Sequence, residues 1–398
     1  MWTIFKLTNL FYILVSAYIW ITAEIPLGPL LMALNVLLLF FLSFLPIEIK
    51  LDSRTGFILL ALVGLVAWST YIGGIGLGFV TFAMYLPAVF LVQLPQDYQI
   101  DLLKYVTKWF AILLIPALLI YWVTLVIPLP DFGLYNHPPY KPFMNYIFYL
   151  KTTFDYGTFV RFNAFFLEPG HLAMPCEFLL IANRFDFKKC PWLWIIIVAI
   201  GFSFSLAGYL ITFTAFVLMK VNTIAKGIGV AALIAALIVG LQSLSGGNNA
   251  VNELIIERLQ YDESKGIKGN NRYFDNTDFE FDKSLKNGDF WAGVRTKANM
   301  DLIGGSGFKI YILQYGLIGV LLVLAFYISL IPPNPNWKFT LTFFFLIALC
   351  FMQNAYPGWY SWLLPYILGL DIYSRKGLSD DQYQSSQSLP TPEAENEM

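Results

Sequence analysis

The feature that most constrains this chain is a succession of apolar runs, each near the length that crosses a lipid bilayer. A spanning helix needs about 20 mostly apolar residues. Such runs fall at roughly 8–23, 26–46, 56–73, 75–94, 109–128, 169–183, 191–206, 208–220, 227–244, 307–331, 339–353 and 358–372. Several are short, and 191–220 reads either as two helices or as one with a re-entrant piece. In hydrocarbon each backbone N–H and C=O must be paired internally, which favours helices for runs of this kind. The predicted fold class is therefore all-α, a polytopic transmembrane helix bundle of about twelve spans. Composition points the same way. Of 398 residues, 58% are hydrophobic and 13% charged, about half the charged share of a soluble chain. So few charges cannot dress the surface of a soluble globule this long. A net charge of −1 gives no footing to a nucleic-acid partner. Cys176, Cys190 and Cys350 are too scattered for a metal set or a disulfide framework. The first run lacks a small-residue cleavage site and reads as a retained span.

Lysine and arginine set the orientation. Lys50 and Arg54, Lys104 and Lys108, Arg184 with Lys188 and Lys189, Lys220 and Lys226, Lys338, and Arg375 with Lys376 follow every even-numbered run. The alternate short loops, near Glu24, Gly73, Ala207 and Tyr356, carry neither residue. Both termini are thus expected in the cytoplasm. Two longer segments, about 129–168 and 245–306, are expected outside. The chain divides into a membrane domain over 1–372 and a polar tail over 373–398, whose composition predicts disorder.

The chemistry-bearing residues concentrate at one membrane surface. In the stretch Arg161 to His171, Glu168-Pro169 reads as the start of a helix. Proline suits the first helical position, and an acid before it suits the helix dipole. Glu168 and His171 are then three apart and share a face. Headgroup anchoring for Arg161, capping for Glu168 and packing for His171 account for the same residues. Glu177 falls about 12 Å further along that helix and reads as a hydrogen-bonded carboxyl facing the bundle interior. Gly304-Gly305-Ser306-Gly307 predicts a tight turn ahead of the tenth run, beside Lys309. The acidic alternation Asp278-Phe279-Glu280-Phe281-Asp282 reads as a solvated loop, with cation binding as the less favoured alternative. The chain has no P-loop, no HExxH and no nucleophile elbow.

The stretch from Arg161 through Phe166-Leu167-Glu168-Pro169 resembles a motif of the O-antigen polymerase and ligase superfamily of bacterial envelope enzymes. Phe202-Ser203-Phe204-Ser205-Leu206-Ala207-Gly208-Tyr209 resembles that family's serine-rich helix junction. Gly305-Ser306-Gly307 and Gln314-Tyr315-Gly316-Leu317-Ile318-Gly319 follow a long outer loop in the family's order. The likeness covers about 155–320 and departs at Ala164, where the family often has glycine.

The resemblance implies a GT-C-like glycosyltransferase with a large periplasmic loop, acting at the outer face of the bacterial inner membrane. Its donor and acceptor would be glycans on undecaprenyl diphosphate. It would need no cofactor and no metal, and a chain-length regulator is a conceivable partner besides membrane lipid. On this basis Glu168 is the expected base and His171 its rival. Arg161, Arg272, Arg295 and Lys309 are the expected diphosphate ligands. Tyr135, Tyr140 and Tyr156, with Tyr146 and Tyr149, are candidates for stacking on sugars, although interfacial anchoring serves them as well. The family's ligases carry a histidine near the end of the large loop. Here the histidines are His137 and His171, which favours a polymerase over a ligase. A transporter or flippase is the alternative from another class.

Overall fold

The computed structural model describes residues 1–17, 19–136, 142–152, 160–220, 261–262, 266–267, 275–294, 307–354 and 356–374. Their regular structure is mostly helical. The first half holds α1 (Trp2–Ser16), α2 (Trp20–Ala23), α3 (Leu27–Ser43), α4 (Ser53–Tyr85), α5 (Pro87–Leu91) and α6 (Gln96–Val126). Next comes a small antiparallel sheet of β1 (Leu134–Tyr135), β2 (Phe143–Asn145) and β3 (Leu150–Thr152), in that order. Then follow α7 (Pro169–Ala182), α8 (Leu193–Ser203) and α9 (Leu206–Lys220), and a short ribbon of β4 (Tyr261–Asp262) and β5 (Gly266–Ile267). The chain closes with α10 (Asp275–Asn287), α11 (Asp289–Ala292), α12 (Gly307–Ser329), α13 (Trp337–Gln353) and α14 (Tyr360–Ser374).

Among the described residues, Ser53–Leu91, Gln96–Val126 and Gly307–Ser329 are long and apolar enough to cross a membrane. The helices α1, α3, α8, α9 and α13 are apolar but shorter. The predicted run 227–244 lies outside the described residues. Leu59, Leu60, Val63, Leu119, Val123, Leu321, Leu324 and Ile328 are exposed on the rim of the bundle. Water-soluble proteins rarely leave so much apolar surface uncovered, and a lipid environment accounts for it.

A straight helix over Ser53–Leu91 would be about 58 Å long, twice the thickness of a bilayer core. It is not straight. Gly74 takes φ 79° and ψ −179° inside α4. Thr81 Oγ1 donates to Ser69 Oγ at 2.9 Å, although the same separation along a continuous helix would be about 18 Å. The chain therefore folds back at Gly74, and Gly78 packs against Thr70 across the hairpin. The two apolar runs 56–73 and 75–94 are its arms.

The contacts define two ends of the bundle. At one end, Trp2 Nε1 and Lys6 Nζ reach Asp101 Oδ2 at 2.6 and 2.9 Å. There Arg54 pairs with Asp371 at 2.8 Å and donates to the Leu330 carbonyl. Gln99 Nε2 donates to the other Asp371 oxygen at 2.9 Å. Lys50, Lys104, Lys108, Arg184, Lys188, Lys189 and Lys338 belong to this basic end. At the opposite end, Trp20 Nε1 donates to the Ile147 carbonyl at 2.8 Å, which ties α2 to the loop between β2 and β3.

The centre of the bundle is the pair α7 and α14. Almost every residue of both is buried, His171, Glu177, Ser361 and Asp371 included. Each carries an internal proline, Pro175 and Pro365, which tight neighbours tolerate.

The second break is at Gly316 in α12, at φ 68° and ψ 175°. A break strips carbonyls of their helical partners, and buried ones must find others. Val294 N donates to the Leu313 carbonyl at 2.7 Å, and Trp68 Nε1 to the Tyr315 carbonyl at 2.7 Å. A Cβ at Gly316 would overlap the backbone of Trp291 and Ala292, so this glycine is where α11 docks onto α12.

One expectation is corrected. The acidic alternation 278–282 is not a loop but part of α10. There Asp278 pairs with Lys309, and Lys283 with Glu280 at 3.2 Å. Phe281 meets Phe290 and Phe308 with ring centroids 6.1 and 6.2 Å apart, while Phe279 stays exposed. A segment of this composition is ordered here because Phe281 anchors the helix to α11 and α12.

Candidate functional site

The segment 160–168 crosses the end of the bundle opposite the basic end. It is irregular chain held by its neighbours. Tyr121 Oη donates to the Val160 carbonyl at 3.0 Å. Phe162 N donates to the Phe202 carbonyl at 2.9 Å, Leu150 N to the Ala164 carbonyl at 2.8 Å, and Trp20 N to the Phe165 carbonyl at 3.2 Å. Asn163 Nδ2 closes a local turn on the Phe166 carbonyl at 2.6 Å. Ala164 sits at φ 49°, in the left-handed region where glycine carries no Cβ penalty. That is a physical reason for glycine to be favoured at such a position.

Arg161 Nε donates to the Ser203 carbonyl at 3.1 Å, which fixes the guanidinium at the α8–α9 junction. Phe204 breaks the two helices apart in the left-handed conformation, φ 47°. Ser205 N donates to Ser203 Oγ, and Gly208 N to Ser205 Oγ, both at 3.2 Å. Ser205 thereby caps α9 in the usual manner of a serine at a helix start. The serine-rich junction is a pair of short helices and not a continuous one.

Glu168 is the residue ahead of α7, with extended backbone, and Pro169 opens the helix. The Glu168 side chain accepts no capping bond from the helix start. It turns to His171 instead, Oε2 lying 3.8 Å from Nε2. His171 is 4% exposed. Its ring stands edge-on to Trp359, centroids 5.0 Å apart at 84°. Trp359 in turn lies flat against Tyr356, centroids 5.0 Å apart and planes within 1°. The acid–imidazole pair therefore tops the central helix, backed by an aromatic stack from the α13–α14 loop.

Glu177 is buried between α7, α9 and α13. Cys350 Sγ donates to its Oε2 at 3.8 Å. A Cβ on Gly208 would come within 3.0 Å of Oε1. Glycine at 208 is what lets the carboxyl lie between the helices.

The remaining sequence candidates divide. Lys309 is ion-paired with Asp278 and sits over the Phe281 ring at 5.4 Å. Tyr135 Oη donates to Glu24 Oε1 at 3.3 Å, and its ring meets Trp20. Burial, and then the adjacent Glu24 carboxylate, push the Tyr135 phenol up to about 12. Tyr146 and Tyr149 are buried in an aromatic cluster with Tyr121 and Phe162. Arg272, Arg295, Tyr140, Tyr156 and His137 lie outside the described residues.

Sequence reasoning missed Tyr356 and Trp359. Their signal was a short aromatic loop between the last two apolar runs, but its meeting with His171 joins positions far apart in the chain. Compared with protein-family models, with curated proteins and with solved structures, the chain matches none.

Proposed function

We propose that this chain is a membrane glycosyltransferase that joins undecaprenyl-diphosphate-linked oligosaccharide repeat units into a bacterial surface polysaccharide. The observation that carries the reading is the Glu168–His171 pair at the end of the central helix, with Arg161 held in the same crossing segment. The basic end faces the cytoplasm, so the pair works at the outer face of the inner membrane. The acceptor sugar hydroxyl attacks the anomeric carbon of the donor. A new C–O bond forms while the bond to the diphosphate oxygen breaks. The hydroxyl proton passes to Glu168, or to His171 as the rival base. Charge develops on the departing diphosphate, and the planar Arg161 guanidinium is suited to stabilise it.

Broken helices are also a mark of transporters, which place them at the membrane midplane. Here one break is a hairpin turn at Gly74. The other, at Gly316, neighbours Trp68, about 9 Å along the helix from that turn. Both lie toward the end that carries Arg161 and Glu168, which suits surface chemistry better than passage.

The test is cell-free. Purified protein given only lipid-linked repeat units should build a ladder on a gel, without lipid A core and without added divalent metal. Arg161→Ala and Glu168→Gln should each lower the yield at least about a hundredfold while the protein stays folded. A wild-type ladder from either variant removes that residue from the mechanism. Ladder formation that requires lipid A core overturns the polymerase and installs the ligase.

A further inference from the structure

We propose that Tyr356 is a saccharide-stacking platform of the Glu168–His171 site; this rests on the glycosyltransferase reading. An aromatic ring presents a negative face, which attracts the weakly positive C–H face of a sugar ring. The sugar hydroxyls then point sideways, where polar groups can reach them. Tyr356 is 46% exposed, whereas Trp359 beneath it is 0% exposed. Trp359 is thus wholly committed as a base, taking the Tyr356 ring on one contact and the His171 edge on another. A sugar laid on Tyr356 would stand two ring contacts from the imidazole that touches Glu168.

The loop that carries Tyr356 is fixed from several directions. Trp359 N donates to the Tyr356 carbonyl at 3.1 Å, and Asn354 N to the Cys350 carbonyl at 2.8 Å. Tyr327 Oη donates to the Pro357 carbonyl at 2.6 Å. Gly358 lies so close to the Tyr85 ring that a Cβ would stand 2.8 Å from it, and Gly307 packs on the Asn354 backbone. Just after the loop, Tyr360 hydrogen-bonds Asn9. A ring held in place before the ligand arrives loses little freedom on binding.

The experiment uses the full chain in phospholipid nanodiscs. The probe is a set of short oligosaccharides released by mild acid from the host cell's own surface polysaccharide. Binding is read by saturation-transfer NMR and by quenching of tryptophan fluorescence. Tyr356→Ala should weaken binding about tenfold, and Tyr356→Phe and Tyr356→Trp should restore it to within about twofold. In the ladder assay Tyr356→Ala should raise KM with kcat nearly unchanged, as expected for a binding residue remote from the reacting bond. A role in packing alone would lower the melting temperature of Tyr356→Ala and leave binding by the folded protein intact. Wild-type binding by Tyr356→Ala overturns the platform while leaving the transferase reading in place. No binding by the wild-type protein overturns both.

Discussion

At the residue scale, the molecule handles its charged groups in three ways. Some are neutralised at the basic end, where the Arg54–Asp371 pair is nearly buried, with exposures of 11% and 9%. Some are placed at the opposite end, as Arg161, Glu168 and His171 are. Others serve local structure, and Asp52 is the plainest case. Its carboxylate accepts from Thr55 N at 2.8 Å and caps α4. That bond holds the Asp52 carboxyl below its usual value, with burial opposing it. A group whose folded pKa is lowered stabilises fully above its unfolded value, and that stabilisation is lost as pH falls through the folded one. Asp52→Ala should therefore cost about 1 kcal/mol at pH 7. The difference from wild type should shrink toward nothing as the solution is taken below about pH 4. Unfolding midpoints of both proteins at neutral and acid pH test this. An equal gap at both would remove the carboxylate's charge from the explanation.

At the scale of elements, glycine decides where the long apolar helices stop being straight. Gly74 and Gly316 both take positive φ with ψ near 180°, a combination close to exclusive to glycine. In the glycine-rich turn around Gly74, a Cβ added at Gly76 would meet nothing within 4 Å, and Gly76 has no positive φ. Gly74→Ala should destabilise the protein by about 1–3 kcal/mol, and Gly76→Ala should be close to neutral. An added Cβ meets nothing within 4 Å at either position, so thermal unfolding of the two variants side by side isolates the backbone term; similar losses would mean that the positive φ at Gly74 does not set the requirement. The helix starts were the most legible elements. Glu168-Pro169 announced α7, because proline and an acid act on the helix they adjoin. The serine-rich junction was less legible. Two helices and one re-entrant helix differ at a single left-handed residue, Phe204, whose side chain gives no local preference for that conformation. Local pattern also misled at 278–282, which reads as a solvated loop but forms part of α10, with Phe281 packed against Phe290 and Phe308.

At the scale of the whole molecule, polarity between the two ends is the organising fact. Lys50, Lys104, Lys108, Lys188 and Lys338 share one end, and the crossing segment 160–168 lies at the other. With the native cysteines replaced, Phe132→Cys should react with an impermeant thiol reagent on intact cells. Lys338→Cys should react only after the membrane is opened. The reverse pattern would turn the protein over and place Glu168 in the cytoplasm, away from any lipid-linked glycan on the outer face.

This polarity was readable in advance, as were the mostly helical class and the meeting of Glu168 with His171. Each depends on composition within one segment measured against a fixed bilayer thickness or a charge rule. Which helices would be central was not readable, because in lipid an apolar face is no guide to burial. Packing chose α7 and α14. It also buried Tyr146 and Tyr149, engaged Lys309 with Asp278, and set Trp359 between His171 and Tyr356. Those arrangements join residues far apart in the chain through shape and a few polar contacts, and no window of sequence contains both partners.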